Sequence, residues 1–152
     1  MRRLIAGLAL ALALALLSLP ASAQDAERYG TQKVVYHVNG QGGEGGGAYL
    51  AALRNIQNHL DAVGEGRIEV AVVMHGDGLG LLSEALTNDR IQTSVGSLKG
   101  QGVSFLVCEN TLNGRGIRYE DDLYDVWEDD IVPSGVAELS RLQQMGYTYI
   151  RP

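Results

Sequence analysis

Short apolar runs alternate with longer stretches of helical spacing along most of this chain. The runs are rich in β-branched residues, which favours strands, and the stretches between them repeat their apolar positions every three or four residues, which favours helices. This alternation predicts an α/β fold: a three-layer α/β/α domain over residues 33–152, with a mainly parallel sheet of about five strands. The predicted strands are Lys33 to Val38, Ile68 to Met74, Val103 to Cys108, Ile131 to Val132 and Tyr147 to Ile150.

The clearest helical patterns follow the first predicted strand and precede the last one. Apolar residues recur at helical spacing from Leu50 to Val63, and again from Val136 to Met145. Ser134 is well placed to cap the second of these helices, because a serine oxygen can accept a hydrogen bond from the first free backbone N–H groups. Two shorter helical patterns lie between them, around residues 81–86 and 91–98.

The first residues carry the features of a secretory signal peptide. Arg2 and Arg3 form a short positive region, and a nearly unbroken run of leucine and alanine extends from Leu4 to Leu19. A small-x-small cleavage motif that ends at Ala23 follows this run at once. The sequence therefore predicts a signal peptide that is cleaved after Ala23.

An uncleaved membrane anchor is the alternative interpretation of the same segment. The apolar run is short for a membrane span, which needs about 20 residues, and the cleavage motif favours removal. Residues 1–23 are thus the predicted signal peptide, and residues 24–32 are a polar lead-in to the domain. We expect a periplasmic protein of the bacterial cell envelope with no membrane segment after cleavage.

The mature chain is strongly acidic. Loss of the signal peptide leaves 10 of the 12 basic residues against all 18 acidic ones, a net charge of −8. Binding to nucleic acid needs basic residues that displace counterions from phosphates, so nucleic acid is excluded as an expected partner. An anionic membrane surface is disfavoured for the same reason.

Cys108 is the only cysteine of the chain, so no internal disulfide can form. As a structural residue it would be a small apolar side chain that closes a core strand, because free cysteine is among the most buried residue types. As a catalytic residue it would be a nucleophilic thiolate, which needs nearby donors. Glu109 opposes a thiolate, whereas Asn110, Thr111 and a following helix favour one. The residues alone leave both interpretations open.

Polar side chains follow the first three predicted strands at the points where these strands end. The carboxyl ends of parallel strands meet at one edge of the sheet, where ligands usually bind. We therefore expect these side chains to form one site, with Cys108 as the catalytic residue and the others as binding residues. The pairs, in chain order, are His37 with Asn39, His75 with Asp77, and Cys108 with Asn110.

Neither a cofactor nor a metal ion is expected at this edge. The glycines that follow the first strand include Gly40-x-Gly42-x-x-Gly45, which formally matches a dinucleotide fingerprint, but the second strand does not end in the acidic residue that binds ribose. A mobile loop is the predicted state of this stretch. His37, His75, Cys108 and Asp77 could be metal ligands, but no two of them form a closely spaced ligand pair.

An acidic run precedes the fourth predicted strand. It lacks the spacing of a calcium-binding loop and is predicted to be a solvated face. The same stretch, from Tyr119 to Trp127, also contributes aromatic residues of the kind that protein interfaces favour. The acidic residues are Glu120, Asp121, Asp122, Asp125, Glu128, Asp129 and Asp130.

Three motifs in this order resemble the DsrE/DsrF-like family, and the resemblance extends from about Lys33 to the end of the chain. The glycine-rich stretch and the export signal depart from the usual pattern of that family. The motifs are His75-Gly76-Asp77-Gly78-Leu79, Cys108-Glu109-Asn110-Thr111-Leu112, and Val132-Pro133-Ser134-Gly135-Val136 continuing to Gln143.

The resemblance implies a three-layer α/β/α fold, self-association into a homo-oligomer, and a cysteine that carries sulfur as a persulfide. Cys108 matches that cysteine. Two hypotheses of function follow. In the first, Cys108 accepts sulfur from a donor and passes it to an acceptor protein, with His75, Asn110 and amides of the glycine loop as donors to the anion. In the second, the domain is a binding or assembly module, and Cys108 is core packing.

Overall fold

The computed structural model describes residues 28–152 of the chain. The predicted signal peptide, its cleavage point after Ala23 and most of the polar lead-in lie outside the described residues. Within residues 28–152, no helix is both long and apolar enough to cross a lipid bilayer. The described part of the chain contains one five-stranded sheet with helices on both of its faces.

All neighbouring strands of the sheet are parallel, and when the strands are numbered along the chain they stand in the order 4-3-2-1-5. The prediction of five strands is confirmed, and their bounds differ from the predicted ones by no more than one residue. The long strands read as apolar runs because strands covered on both faces have no solvated side. The strands are β1 Gln32–Val38, β2 Ile68–Met74, β3 Ser104–Cys108, β4 Ile131–Val132 and β5 Thr148–Ile150.

The helices begin and end at residues suited to those positions. Asn88 caps the helix that begins at Asp89 through its Oδ1 atom, which accepts hydrogen bonds from the N–H groups of Arg90 at 3.1 Å and Ile91 at 3.4 Å. Ser134 caps the helix that begins at Gly135, as predicted, because its Oγ atom accepts a hydrogen bond from the N–H of Ala137 at 3.4 Å. The helices are α1 Gly47–Val63, α2 Gly80–Glu84, α3 Asp89–Gly100, α4 Glu109–Arg115, α5 Tyr119–Asp122 and α6 Gly135–Gln144.

The two faces of the sheet are covered unequally. Alternate residues of β1, β2 and β3, such as Tyr36, Val72 and Phe105, form the larger core with side chains of α1, α2 and α3. The opposite face packs against α6, whose Leu139 and Leu142 meet a small group of strand residues. That group comprises Val35, Ala71 and Val73, with Tyr147 and the partly buried Leu106 beside them.

This arrangement makes the position of α6 depend on few side chains. Leu142 is only 3 % exposed and lies in the smaller core. We expect Leu142→Ala to lower the free energy of unfolding by roughly 2–5 kcal/mol, because it removes buried methyl groups and leaves a cavity. Gln144→Ala, on the exposed side of the same helix, is the control and should change it by less than about 0.5 kcal/mol. Urea unfolding monitored by circular dichroism measures both values; equal effects would contradict this packing.

Candidate active site

The parallel register places His37, His75 and Cys108 on one face of the sheet. His37 of β1 is level with Val73 of β2, and Val73 is level with Leu106 of β3. His75 and Cys108 each follow two residues after these partners, and side chains two residues apart point to the same face. The three side chains therefore lie on adjacent strands, at the carboxyl edge and on the side that α6 covers.

Cys108 is nearly buried, with 5 % of the residue exposed, and it immediately precedes α4. Burial raises the pKa of its thiol, but four hydrogen-bond donors around the sulfur outweigh burial, so the pKa is lowered overall. The donors are the N–H of Gly135, the hydroxyl and N–H of Thr111, and the N–H of Asn110. The Cys108 side chain nevertheless accepts no regular capping hydrogen bond from the first N–H groups of α4. The local field thus favours a thiolate.

Gly135 lies between Cys108 and His75. A methyl group at this position would be 3.1 Å from the Cβ atom of His75 and 3.3 Å from the Cβ atom of Cys108, which is tighter than ordinary side-chain contacts. Because glycine has no side chain, the first turn of α6 approaches the carboxyl edge closely enough for its N–H to face the sulfur. The positive end of the α6 dipole then adds to that of α4.

Thr111 links the sulfur to the turn that follows β2. Its Oγ1 atom accepts a hydrogen bond from the N–H of Gly76 at 3.0 Å. A hydroxyl has a single proton to donate, and this oxygen already serves as an acceptor, so the proton is available for the sulfur of Cys108. The Gly76 amide therefore helps to orient the Thr111 hydroxyl as a donor to the thiolate.

The two histidines of the site bind each other. The Nε2 atoms of His37 and His75 are 2.7 Å apart, and the Nδ1 atom of His37 lies 2.7 Å from the hydroxyl of Tyr149. Burial lowers the pKa of both rings, and the charges of His75 and Arg151 lower that of His37 further. The neutral form of both rings is therefore favoured, and in that form one Nε2 donates its proton to the other.

Asp77 belongs to a different part of the carboxyl edge. Its Oδ1 atom is 2.8 Å from Nη2 of Arg115, and its Oδ2 atom accepts a hydrogen bond from Gln41 at 3.4 Å. The Arg115 guanidinium keeps the pKa of the Asp77 carboxyl low. These three residues line an open cleft of about 750 Å³, which also contains Tyr49 and Glu84. Cys108 is not among the residues that line this cleft.

The two predicted asparagines contribute less than their types suggested. Asn110 offers its backbone N–H to the sulfur, and the residue is otherwise exposed. Asn39 lines a small cavity of about 110 Å³ together with His37, Gln41 and Arg151. The structure thus unites His37, His75 and Cys108 as predicted, whereas Asn39 and Asp77 lie beside other cavities of the same edge.

The glycine-rich loop packs against the domain. It contains a short 3-10 turn, Glu44–Gly46, and the Asn88 side chain donates a hydrogen bond to the carbonyl of Gly45 at 3.3 Å. Gly46 has φ +72°, and a methyl group there would come within 2.6 Å of both Glu84 and Ile91. A larger residue at Gly46 would be strained by this backbone angle and would have to displace both side chains. The predicted mobile flap has defined contacts with α2, α3 and the turn before α3.

Sequence reasoning missed Gly135 and Tyr149 as parts of this site. The motif Pro133-Ser134-Gly135 did carry a signal, since a cap residue followed by glycine marks a helix start that can approach another backbone closely. Tyr149 carried no signal, because its contact with His37 joins residues 112 positions apart. Among residues 28–152, no group of three or more histidine, cysteine, aspartate or glutamate side chains is arranged to hold a metal ion.

The arrangement can stabilise negative charge on sulfur. Backbone N–H groups from the starts of two helices surround Cys108, and such groups lower the pKa of a thiol and make it nucleophilic at neutral pH. An anionic sulfur attached to Cys108 would remain in the same field. The neutral histidine pair stands beside this position without forming a hydrogen bond to the sulfur.

Comparisons with known proteins agree with this geometry. The family model described as the DsrE/DsrF-like family matches residues 7–152. A protein of unknown function, MTH1491 from Methanobacterium thermoautotrophicum, is 30 % identical, with a TM-score of 0.65 over 80 % of this chain and 99 % of its own. The ychN protein from E. coli has the same fold at 20 % identity, with a TM-score of 0.61 over 80 % of this chain and 100 % of its own.

The search of curated proteins finds no significant match. The family match nevertheless covers nearly the whole chain, and the three motifs predicted to carry the resemblance lie together at the carboxyl edge of the sheet. This chain belongs to the DsrE/DsrF-like family.

Proposed function

We propose that this protein is an exported sulfur carrier that holds sulfur as a persulfide on Cys108. Proteins of its family are generally related to sulfur relay. The observation that carries the proposal is the set of four donors around one buried sulfur, which lowers the pKa of Cys108 although burial alone would raise it. A cysteine that only fills space in the core needs no hydrogen-bond donors around its sulfur.

The proposed step needs no oxidant. The Cys108 thiolate attacks the outer sulfur of a sulfane donor, R–S–S⁻ or its protonated form. A new bond forms between the two sulfurs, the old S–S bond breaks, and R–S⁻ leaves with the electron pair. Transfer to an acceptor thiolate is the same step in reverse. The donors from α4 and α6 stabilise the charged sulfur before and after the exchange.

Access to the sulfur limits which donors can react. Because only 5 % of Cys108 is exposed, a slender inorganic sulfane reaches it more easily than a persulfide in a rigid surface groove. The first turn of α6 is the nearest cover, since Gly135 touches the cysteine directly. A protein donor or acceptor would need to displace this turn or present its sulfur on an extended segment.

A small-ligand-binding module is the second candidate function. The observation in its favour is the cleft of about 750 Å³ lined by Asp77 and Arg115, from which Cys108 is absent. In that case the lowered pKa of Cys108 would result only from its position before α4 and would serve no reaction. Reactivity of the native thiol separates the two candidates.

Two further features belong to the proposal. The positive, apolar and small-residue pattern of residues 1–23 supports export to the periplasm, with cleavage after Ala23. The side of the domain that α6 covers supports self-association, because it exposes apolar side chains. These are Val136 at 64 %, Met145 at 51 % and Tyr149 at 43 % exposure.

The first prediction concerns the thiol itself. Iodoacetamide should alkylate Cys108 in the native protein, and the midpoint of the pH dependence should lie below that of the unfolded chain, because the native donors favour the thiolate. Incubation with polysulfide should then add the mass of one sulfur, which a reductant removes. Mass spectrometry reads both results without ambiguity, since the chain has a single cysteine.

Cys108→Ser is the control for sulfur addition, because it keeps a similar size and removes the soft nucleophile. It should stay folded and add no sulfur. If native Cys108 resists iodoacetamide until the chain is unfolded, the persulfide proposal is wrong and the binding-module candidate takes its place.

The second prediction isolates the Thr111 hydroxyl. Thr111→Val should raise the pKa of Cys108 and slow its alkylation at pH 7, because it removes one donor to the thiolate. Thr111→Ser keeps a hydroxyl at the same position and should retain most of the native reactivity. Absorbance of the thiolate at increasing pH measures the pKa; equal values in both variants would show that the hydroxyl does not act on the sulfur.

The third prediction concerns assembly. Static light scattering of the mature protein should return a mass of two or more protomers, because the apolar side chains on the α6 side would otherwise stay in water. Replacing both Val136 and Met145 by glutamine should shift the mass towards the protomer. A protomer mass for the unmodified protein at high concentration would contradict self-association.

A further inference from the structure

Residues 118–130, named here the Trp127 segment, hold a disproportionate share of the acidic charge. The segment has seven acidic residues and one basic residue, Arg118, whereas the rest of residues 28–152 has nine of each. The net charge of the described chain therefore arises in this segment alone. One side of an otherwise balanced surface is strongly negative.

Trp127 stands within this acidic surface and is the most exposed large apolar side chain of the described residues, at 68 %. It is also the only tryptophan of the chain. Its indole Nε1 donates a hydrogen bond to Oδ1 of Asp125 at 3.1 Å, so the polar atom of the ring is satisfied within the segment. The apolar faces of the ring remain in water, so the ring contributes no hydrophobic stabilisation to the domain itself.

The segment holds Trp127 in a fixed position. Asp125 adopts φ +51° and is the only residue other than glycine with positive φ in residues 28–152. Nζ of Lys99 from α3 binds the backbone oxygen of Asp125 and lies 3.0 Å from its Oδ2 atom. The same Nζ is 3.6 Å from Oδ2 of Asp130, which also accepts the N–H of Trp127 at 3.1 Å. Lys99 thus joins the two ends of the turn that carries the ring.

Buried neighbours anchor the same turn to the domain. Leu123 is 4 % exposed and Val126 is 8 % exposed, and both belong to the larger core. The N–H of Tyr124 donates to the carbonyl of Leu82 at 3.0 Å. The chain therefore buries the apolar residues on either side of Asp125 and leaves Trp127 outside. Asp125 thus keeps a backbone conformation that residues other than glycine seldom adopt, and the turn that it forms displays a ring of the kind that protein interfaces bury.

The Trp127 segment is joined to the strand that pairs with the strand of Cys108. Its last residue, Asp130, precedes β4, and Val132 of β4 is level with Cys108 of β3. At its other end the segment follows α4, the helix that begins after Cys108. A protein that docks on this segment would lie along the β4 edge of the sheet.

We propose that the Trp127 segment is a docking site for a partner protein with a basic surface around an apolar pocket. Tryptophan is among the residues that dominate binding energy at protein interfaces, and a ring of opposite charges aligns the two surfaces and speeds their association. The acidic rim disfavours anionic partners such as nucleic acid. A second copy of this chain is the less suitable occupant, because the rest of residues 28–152 carries no net positive charge to set against the segment. Docking does not require Cys108 to react.

Selection from random peptides displayed on phage tests this site with a defined probe. The immobilised full mature protein is the target, and the Trp127→Ala variant removes peptides that bind elsewhere. We expect the enriched peptides to combine lysine or arginine with an aromatic or aliphatic residue. The strongest peptide, made synthetically, should shift the emission of Trp127 to shorter wavelength, and rising salt should weaken its binding.

Variants measure the two components of the site separately. Trp127→Ala should weaken binding of that peptide by at least about tenfold, the effect expected of a hot-spot residue. The double variant Glu128→Gln with Asp129→Asn should also weaken binding while it retains the fluorescent ring. Glu44→Gln with Glu65→Gln changes the net charge equally on exposed residues elsewhere and is the matched control, which should bind as the unmodified protein does.

Three results would overturn the docking site. One is the absence of enrichment over the Trp127→Ala variant, and another is enrichment of peptides that lack basic residues. The third is a change in Trp127 emission when the protein alone is diluted, since a second copy would then occupy the segment. Cys108→Ser should bind the peptide normally, so a failed persulfide test and a failed docking test remain distinguishable.

Discussion

The contact of Gly135 with both His75 and Cys108 is the constraint on which this site depends. The backbone of α6 meets the side chains of both residues where an added methyl group would lie only 3.1 Å and 3.3 Å from their Cβ atoms. The approach brings the first N–H of α6 to a sulfur that α4 already polarises from the other side. It also seats α6 on the face of the sheet where few other side chains pack, so the same contact governs both the site and the second layer of the fold.

Competition between burial and hydrogen bonding decides the state of Cys108. In an apolar core the thiol would be protonated, because a charged sulfur loses its hydration. Here the donors come from two helix starts and one hydroxyl, and together they outweigh that cost. The residue is thus hidden from bulk water and still biased towards its reactive form. A sulfur carrier benefits from both properties, since a persulfide that meets water and oxidants freely is soon lost.

Two regions of the domain surface differ in their chemical character. Apolar exposure on the α6 side and negative charge around Trp127 occupy different parts of the molecule, and each is suited to a different kind of contact. Self-association fits the α6 side, where Glu138 and Arg141 pair with each other and leave little net charge to repel a second copy. The rest of residues 28–152 carries no net positive charge to set against the acidic segment, so a basic partner protein is the proposed complement. Its position next to β4 would bring such a protein to the edge beside the cysteine.

Much of this fold was predictable from the sequence. The strands were found because parallel strands covered on both faces lose their polar positions and read as apolar runs. The grouping of His37, His75 and Cys108 followed from the rule that parallel strands end at one edge. The cap at Ser134 was also found, because capping is a property of neighbouring residues.

Other features depended on residues far apart in the chain. Asp77 and Asn39 were expected beside the cysteine, but the turns after β1 and β2 direct them towards other cavities. The histidine pair and its link to Tyr149 appear only after β5 has taken its place next to β1. The sequence by itself determined the α/β fold and the residues gathered at its carboxyl edge, because local periodicity and strand direction suffice for both. Only the tertiary structure decided whether the thiol is favoured as thiolate, because that balance is set by donors from separate elements that packing brings within reach of one atom.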